Sequence, residues 1–114
     1  MTVSAEFLNT AIVSLGQINA SLDPMRQADL SRVKFYAQYA PTQQQLDATG
    51  TRPDQILLGL YTSEPKPTII IFEDSLRRIS SDLFSATRDV QEHEIHQHYF
   101  GLNHILREPA RVSS

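Results

Sequence analysis

Ile56-Leu57-Leu58-Gly59-Leu60-Tyr61, then Ser63-Glu64-Pro65-Lys66-Pro67, then Thr68-Ile69-Ile70-Ile71-Phe72 and Glu73-Asp74-Ser75 is the stretch that decides the fold. The first and third segments are rich in the β-branched and aromatic residues that suit a pleated, half-buried surface. The proline-bearing segment between them is a turn, and so short a gap predicts an antiparallel pair of strands. Gly59 inside the first strand marks a bulge or the close approach of another backbone. After the second strand the pattern changes. Glu73-Asp74-Ser75 is expected to cap a helix running to about Phe84, with Leu76, Ile79 and Leu83 as its apolar stripe.

Working outward, residues 4–22 carry Phe7, Leu8, Ala11, Ile12, Leu15, Ile18 and Leu22 at the three-and-four spacing of an amphipathic helix, closed by Asp23-Pro24. Met25 to Arg32 is polar and reads as a short helix or a loop. Val33 to Tyr39 partly alternates and stops at Pro41, which suggests a third strand. Thr42 to Arg52 is polar and reads as a surface loop with at most one helical turn. A last helix is expected from about Ser85 to Tyr99, stopped by Gly101 in a left-handed position. The tail from Arg107 to Ser114 reads as loose. Helical periodicity giving way to β-rich runs and back again predicts an α+β domain. It has an N-terminal helix, a three-stranded sheet from segments near 33–39, 56–62 and 68–73, and C-terminal helices.

At 114 residues the chain is expected to be a single domain over 1–114. A net charge of −3, with only Arg77-Arg78 adjacent among its basic residues, argues against a nucleic-acid surface. Arg77 and Arg78 read as a solvated helix face. There is no cysteine, so a disulfide framework and thiolate metal ligation are excluded, and any metal falls to His, Asp or Glu. No apolar run approaches the roughly 18 residues of a membrane span. The N-terminal stretch has no basic residue before Arg26, unlike a signal peptide, and the cytoplasm is the expected location.

All four histidines fall in one segment, His93-Glu94-Ile95-His96-Gln97-His98-Tyr99-Phe100-Gly101-Leu102-Asn103-His104. Histidine is the commonest metal ligand and the usual proton shuttle near neutral pH. His98 to His104 fits the pattern HxxGxxH, and His93-Glu94 supplies an HE before it. With Ile56 to Tyr61 and Ile69 to Phe72, the segment resembles the minimal zincin-like metallopeptidases, the minigluzincins, over a little under half of the chain. The resemblance implies a small zincin-like fold with a sheet ahead of an active-site helix.

It also implies a site. Zinc would be held by His93, His98 and His104, with Glu108 as the rival third ligand, and Glu94 would be the general base. Three protein ligands leave zinc a fourth position for water, whose pKa the ion lowers. Glu94 would take the proton and pass it to the leaving amine of a peptide or protein substrate. Thr68 to Phe72 is expected to be an edge strand that a peptide can extend. His96 and His93, three apart, offer a rival two-histidine site, and Tyr99 reads as packing. The alternative function is an inactive zincin-like relative that binds peptides or proteins.

One residue decides between these readings. His93 and His98 are five apart, where the HExxH pattern has its histidines four apart. At about 100° per residue they stand about 140° apart on a regular helix. A π-bulge between about Val90 and Tyr99 would bring them to one face, and such bulges are frequent at functional sites. Oligomeric state and substrate are not encoded in any motif.

Overall fold

The computed structural model describes residues 2–101 and 105–110. Its elements run α1 (Ala5–Ala20), α2 (Pro24–Leu30), β1 (Lys34–Gln38), α3 (Gln43–Thr49), β2 (Gln55–Leu57), β3 (Gly59–Thr62), β4 (Thr68–Phe72), α4 (Glu73–Ile79), α5 (Leu83–Phe100) and β5 (Arg107–Pro109). The α+β class, the N-terminal helix and the three-stranded sheet are as the sequence predicts.

That sheet has the order β1-β4-β3, with β1 parallel and β3 antiparallel to β4. The Thr68 to Phe72 strand is therefore central, not an edge. Its Ile69 and Ile71 are buried, and both neighbours spend their hydrogen bonds on it, so the expected peptide-pairing edge is not there. Among the described residues, β1 and β3 are the edges of this sheet. The segment 56–62 divides at Leu58, whose N–H donates to the Leu106 carbonyl (3.1 Å). Residues before that point form β2, which pairs antiparallel with β5. Arg107 to Pro109 is thus ordered by strand pairing rather than loose. Residues 111–114 of the expected tail lie outside the described residues.

One face of the sheet is covered by α1 and α5. Ile71 packs with Phe7, Val90 and Leu76, and Ile69 with Ile18, Leu30 and Ile95. Each such fully buried side chain contributes about 1.5–3 kcal/mol. The start of α1 is fastened to the start of α4. Ser4 caps α1 by accepting from the Phe7 N–H, while its own N–H and hydroxyl donate to the Glu73 carboxylate at 2.8 and 2.7 Å. Arg77 bridges Glu73 and Glu6, each at 2.9 Å, so it is an ion-pair hub rather than a solvated face. Burial pushes the Glu73 carboxyl up, but the Ser4 and Arg77 bonds outweigh it and hold Glu73 below its ordinary value. Glu73 therefore opens α4 without capping it.

The expected helix to Phe84 stops at Ile79. Asp82 starts the next one by accepting from the Ser85 N–H (3.1 Å). The stretch 42–52 holds a seven-residue helix with a reciprocal Thr42–Gln45 capping box, where only a turn was expected.

Candidate functional site

Helix α5 carries the histidine segment. Val90, Gln91, Glu94, Ile95 and Gln97 are its buried side, and Gly101 ends it at φ 63 with an N–H to the Gln97 carbonyl (2.8 Å). The helix is α-helical without interruption from Leu83 to Phe100, so the π-bulge that a zinc site requires is not formed.

Regular geometry sends the histidines different ways. His93 lies alongside Gln97 one turn later, Nε2 to Nε2 3.4 Å. His96 is exposed, its ring over Phe100 with centroids 4.3 Å apart. His98 turns inward, with 12% of its side chain exposed. Its Nδ1 accepts from the Tyr61 hydroxyl (3.0 Å) and its Nε2–H donates to Asp29 (3.1 Å). That tautomer is the one assigned because it satisfies both partners. Both nitrogens through which His98 would bind a metal are thereby occupied. Tyr99 donates to the Arg26 carbonyl (2.9 Å) and lies under the Arg26 guanidinium, which is the packing role expected of it. Together Asp29–His98 and Arg26–Tyr99 fasten α2 to the end of α5.

Glu94 shares the face of His98, one turn earlier, and both look toward β3. Only 1% of Glu94 is exposed, and neither carboxyl oxygen has a hydrogen-bond partner among the described residues. Burial pushes its carboxyl up to about 8. The reason for the close fit is Gly59. A Cβ there would stand 2.7 Å from Val90 Cγ1 and 3.4 Å from Glu94 Oε1. The glycine therefore marks the close approach that its place in a strand suggests. Burial, and then the Asp29 charge, raise the Tyr61 phenol above its ordinary value.

These side chains do not fit a zinc ion. His93 and His98 point apart, and His98 is engaged on both nitrogens. His104 lies outside the described residues. Glu108 sits on β5 opposite Ile56 and lines a cleft with Arg78 and Ile79, in the second sheet. Among the described residues, no three His, Asp or Glu side chains stand together as a metal-holding group. Asp29 and Tyr61 are the partners that motif reading misses. Tyr61 had a faint signal, two residues beyond Gly59 on the same strand. Asp29 had none, because its contact with His98 spans 69 positions of sequence.

Among the described residues, no helix is long and apolar enough to cross a membrane. No protein-family model matches the chain, and comparison with curated proteins finds no similar one.

Proposed function

We propose that the chain is a zincin-like domain without peptidase chemistry, working as a protein-binding module in the cytoplasm. The observation that carries this reading is the double engagement of His98 by Tyr61 and Asp29. A residue held on both ring nitrogens serves as a bolt between β3, α5 and α2. Glu94 supports the same conclusion, since a general base must be ionised and within reach of water, and this one is enclosed, with burial pushing its carboxyl up to about 8. A peptidase built on the resemblance would need α5 rewound by one residue and His98 released from both partners.

Binding is supported by the flank of the molecule made by α1 and β1. There Ile12 is 69% exposed, with Leu8 and Val13 also open, beside β1, which among the described residues is an edge of the main sheet. Exposed apolar patches next to an open edge mark contact surfaces.

The test is hydrolysis. Purified protein with added zinc is incubated with a mixed peptide pool, and the products are read by mass spectrometry. The proposal expects an unchanged pool. Cleavage that the Glu94→Gln variant abolishes would return the chain to the peptidases.

A further inference from the structure

The two parallel strands of the main sheet, β1 and β4, end side by side, Gln38 opposite Phe72. From there the chain goes two ways. After β1 it passes through Ala40 and Pro41 into α3, and after β4 it turns at once into α4. Where parallel strands are followed by diverging segments, a crevice opens outside their carboxyl ends, and open α/β sheets hold their ligands there. A cavity of about 540 Å³ occupies that place, walled by the segment after β1, by α3, by β2 and by α4. Small-molecule sites have volumes of roughly 300–1,000 Å³.

The walls combine apolar surface with a few polar groups. Leu46, Ile56 and Leu57 form the apolar side. Ser75 also lines the cavity, although only 3% of it is exposed, and its hydroxyl has no hydrogen-bond partner among the described residues. Unlike the hydroxyl of Ser14, it is not sealed off by its surroundings, so a bound molecule can reach it. A hydroxyl so deeply placed is ordinarily hydrogen-bonded.

Among the described residues, the charged groups of the cavity are Asp47, Asp74, Arg52 and Arg78, two of each sign. Asp47 already accepts from the Gln43 amide (2.9 Å), and Arg52 is paired with Asp54 (3.2 Å). Asp74 and Arg78 remain. They stand four apart on α4, neighbours on one helix face, with no ion pair or side-chain hydrogen bond among the described residues. The Asp74 N–H is taken by the Tyr39 carbonyl (2.8 Å), so the group on this wall that an anion meets is the Arg78 guanidinium.

We infer that this crevice binds a free α-amino acid with an apolar side chain. Its carboxylate pairs with Arg78 and accepts from the Ser75 hydroxyl, its ammonium donates to Asp74, and its side chain lies on Leu46, Ile56 and Leu57. The balance of charge selects this class. A polyanion would meet two aspartates and a polyamine two arginines, whereas a zwitterion finds one unengaged partner for each of its ends. The volume exceeds that of one amino acid, and the remainder admits the waters that a partly polar site keeps. The inference goes beyond the protein-binding reading, which rests on His98 and on the α1 and β1 flank.

NMR of the whole 15N-labelled chain tests it, with L-leucine, L-methionine and L-phenylalanine each added to about 10 mM, above the dissociation constants expected for so small a ligand. At least one of the three is expected to give saturable shifts at residues 40–57 and 74–78. The N-acetyl and amide derivatives of that amino acid each lack one charge and should bind at least about tenfold more weakly. Arg78→Gln and Asp74→Asn should each weaken the free amino acid by a similar factor. Neither side chain holds another described residue in place, and the spectra of the variants check their fold. No saturable shift with any of the three, or shifts confined to other residues, overturns the site. Derivatives that bind as well as their parent overturn the zwitterion, as does binding that survives both substitutions. Neither result touches the non-catalytic reading, which fails only if the protein binds zinc and cleaves peptides.

Discussion

The burial of Glu94 has a consequence for stability whose direction can be measured. Its folded-state value is raised to about 8, from the ordinary 4.5, by burial. The folded protein therefore keeps a proton that the unfolded chain releases. The contribution to stability is whole below about 4.5 and is lost as pH rises through about 8, at about 1.4 kcal/mol per pH unit between. Glu94→Gln has no proton to lose. Its unfolding free energy from urea titration should exceed that of wild type by several kcal/mol at pH 8 and differ little at pH 5. Equal pH profiles for the two proteins would mean that Glu94 is solvated. Gly59 makes a sharper steric case. Gly59→Ala brings a methyl to 2.7 Å from Val90 Cγ1 and should cost about 1–3 kcal/mol in chemical denaturation. A neutral substitution would show that β3 and α5 are not in contact. The need for a small residue at 59 was legible in the sequence, because glycine is poor in strands without such a reason. The burial of Glu94 was not. Its neighbours Glu92 and His93 are polar, and only the helix register against β3 shows which of them turns inward.

At the scale of elements, α5 is a regular helix whose histidines serve different ends. His98→Ala removes the group between Tyr61 and Asp29 and takes away one of the two fastenings of α2, a loss of about 2 kcal/mol for a mostly buried, doubly bonded ring. His93→Ala leaves that fastening in place and should cost less than about 1 kcal/mol. Paired zinc ligands would instead lose zinc-dependent stability together, so equal losses confined to zinc-loaded protein would contradict this division. Local pattern found the helices and strands because periodicity is a property of the segment itself. It did not find their arrangement. That Thr68 to Phe72 lies between β1 and β3, and that Arg107 to Pro109 closes on β2, depends on pairings between distant positions. The start of α5 was misplaced because Asp82, a good cap, followed an apolar stripe that ran on through Leu83.

At the scale of the whole molecule, the sequence gathers its histidines in one segment, and the fold turns His98 and Glu94 inward while leaving His96 exposed. His93, Glu94 and His98 stand in the one segment that holds all four histidines. Their convergence could not be read from spacing, since a single inserted residue turns one ligand by about 100°. Whether zinc joins the molecule is the most direct test of the account. A structural or catalytic zinc would bind the folded chain and raise its melting temperature by linkage. Native mass spectrometry of the folded protein at neutral pH, after incubation with one equivalent of zinc and brief dialysis, reads this in a single spectrum. The account predicts the mass of the metal-free chain, with the same result for His98→Ala. A stoichiometric zinc adduct in wild type that disappears in His98→Ala would contradict it.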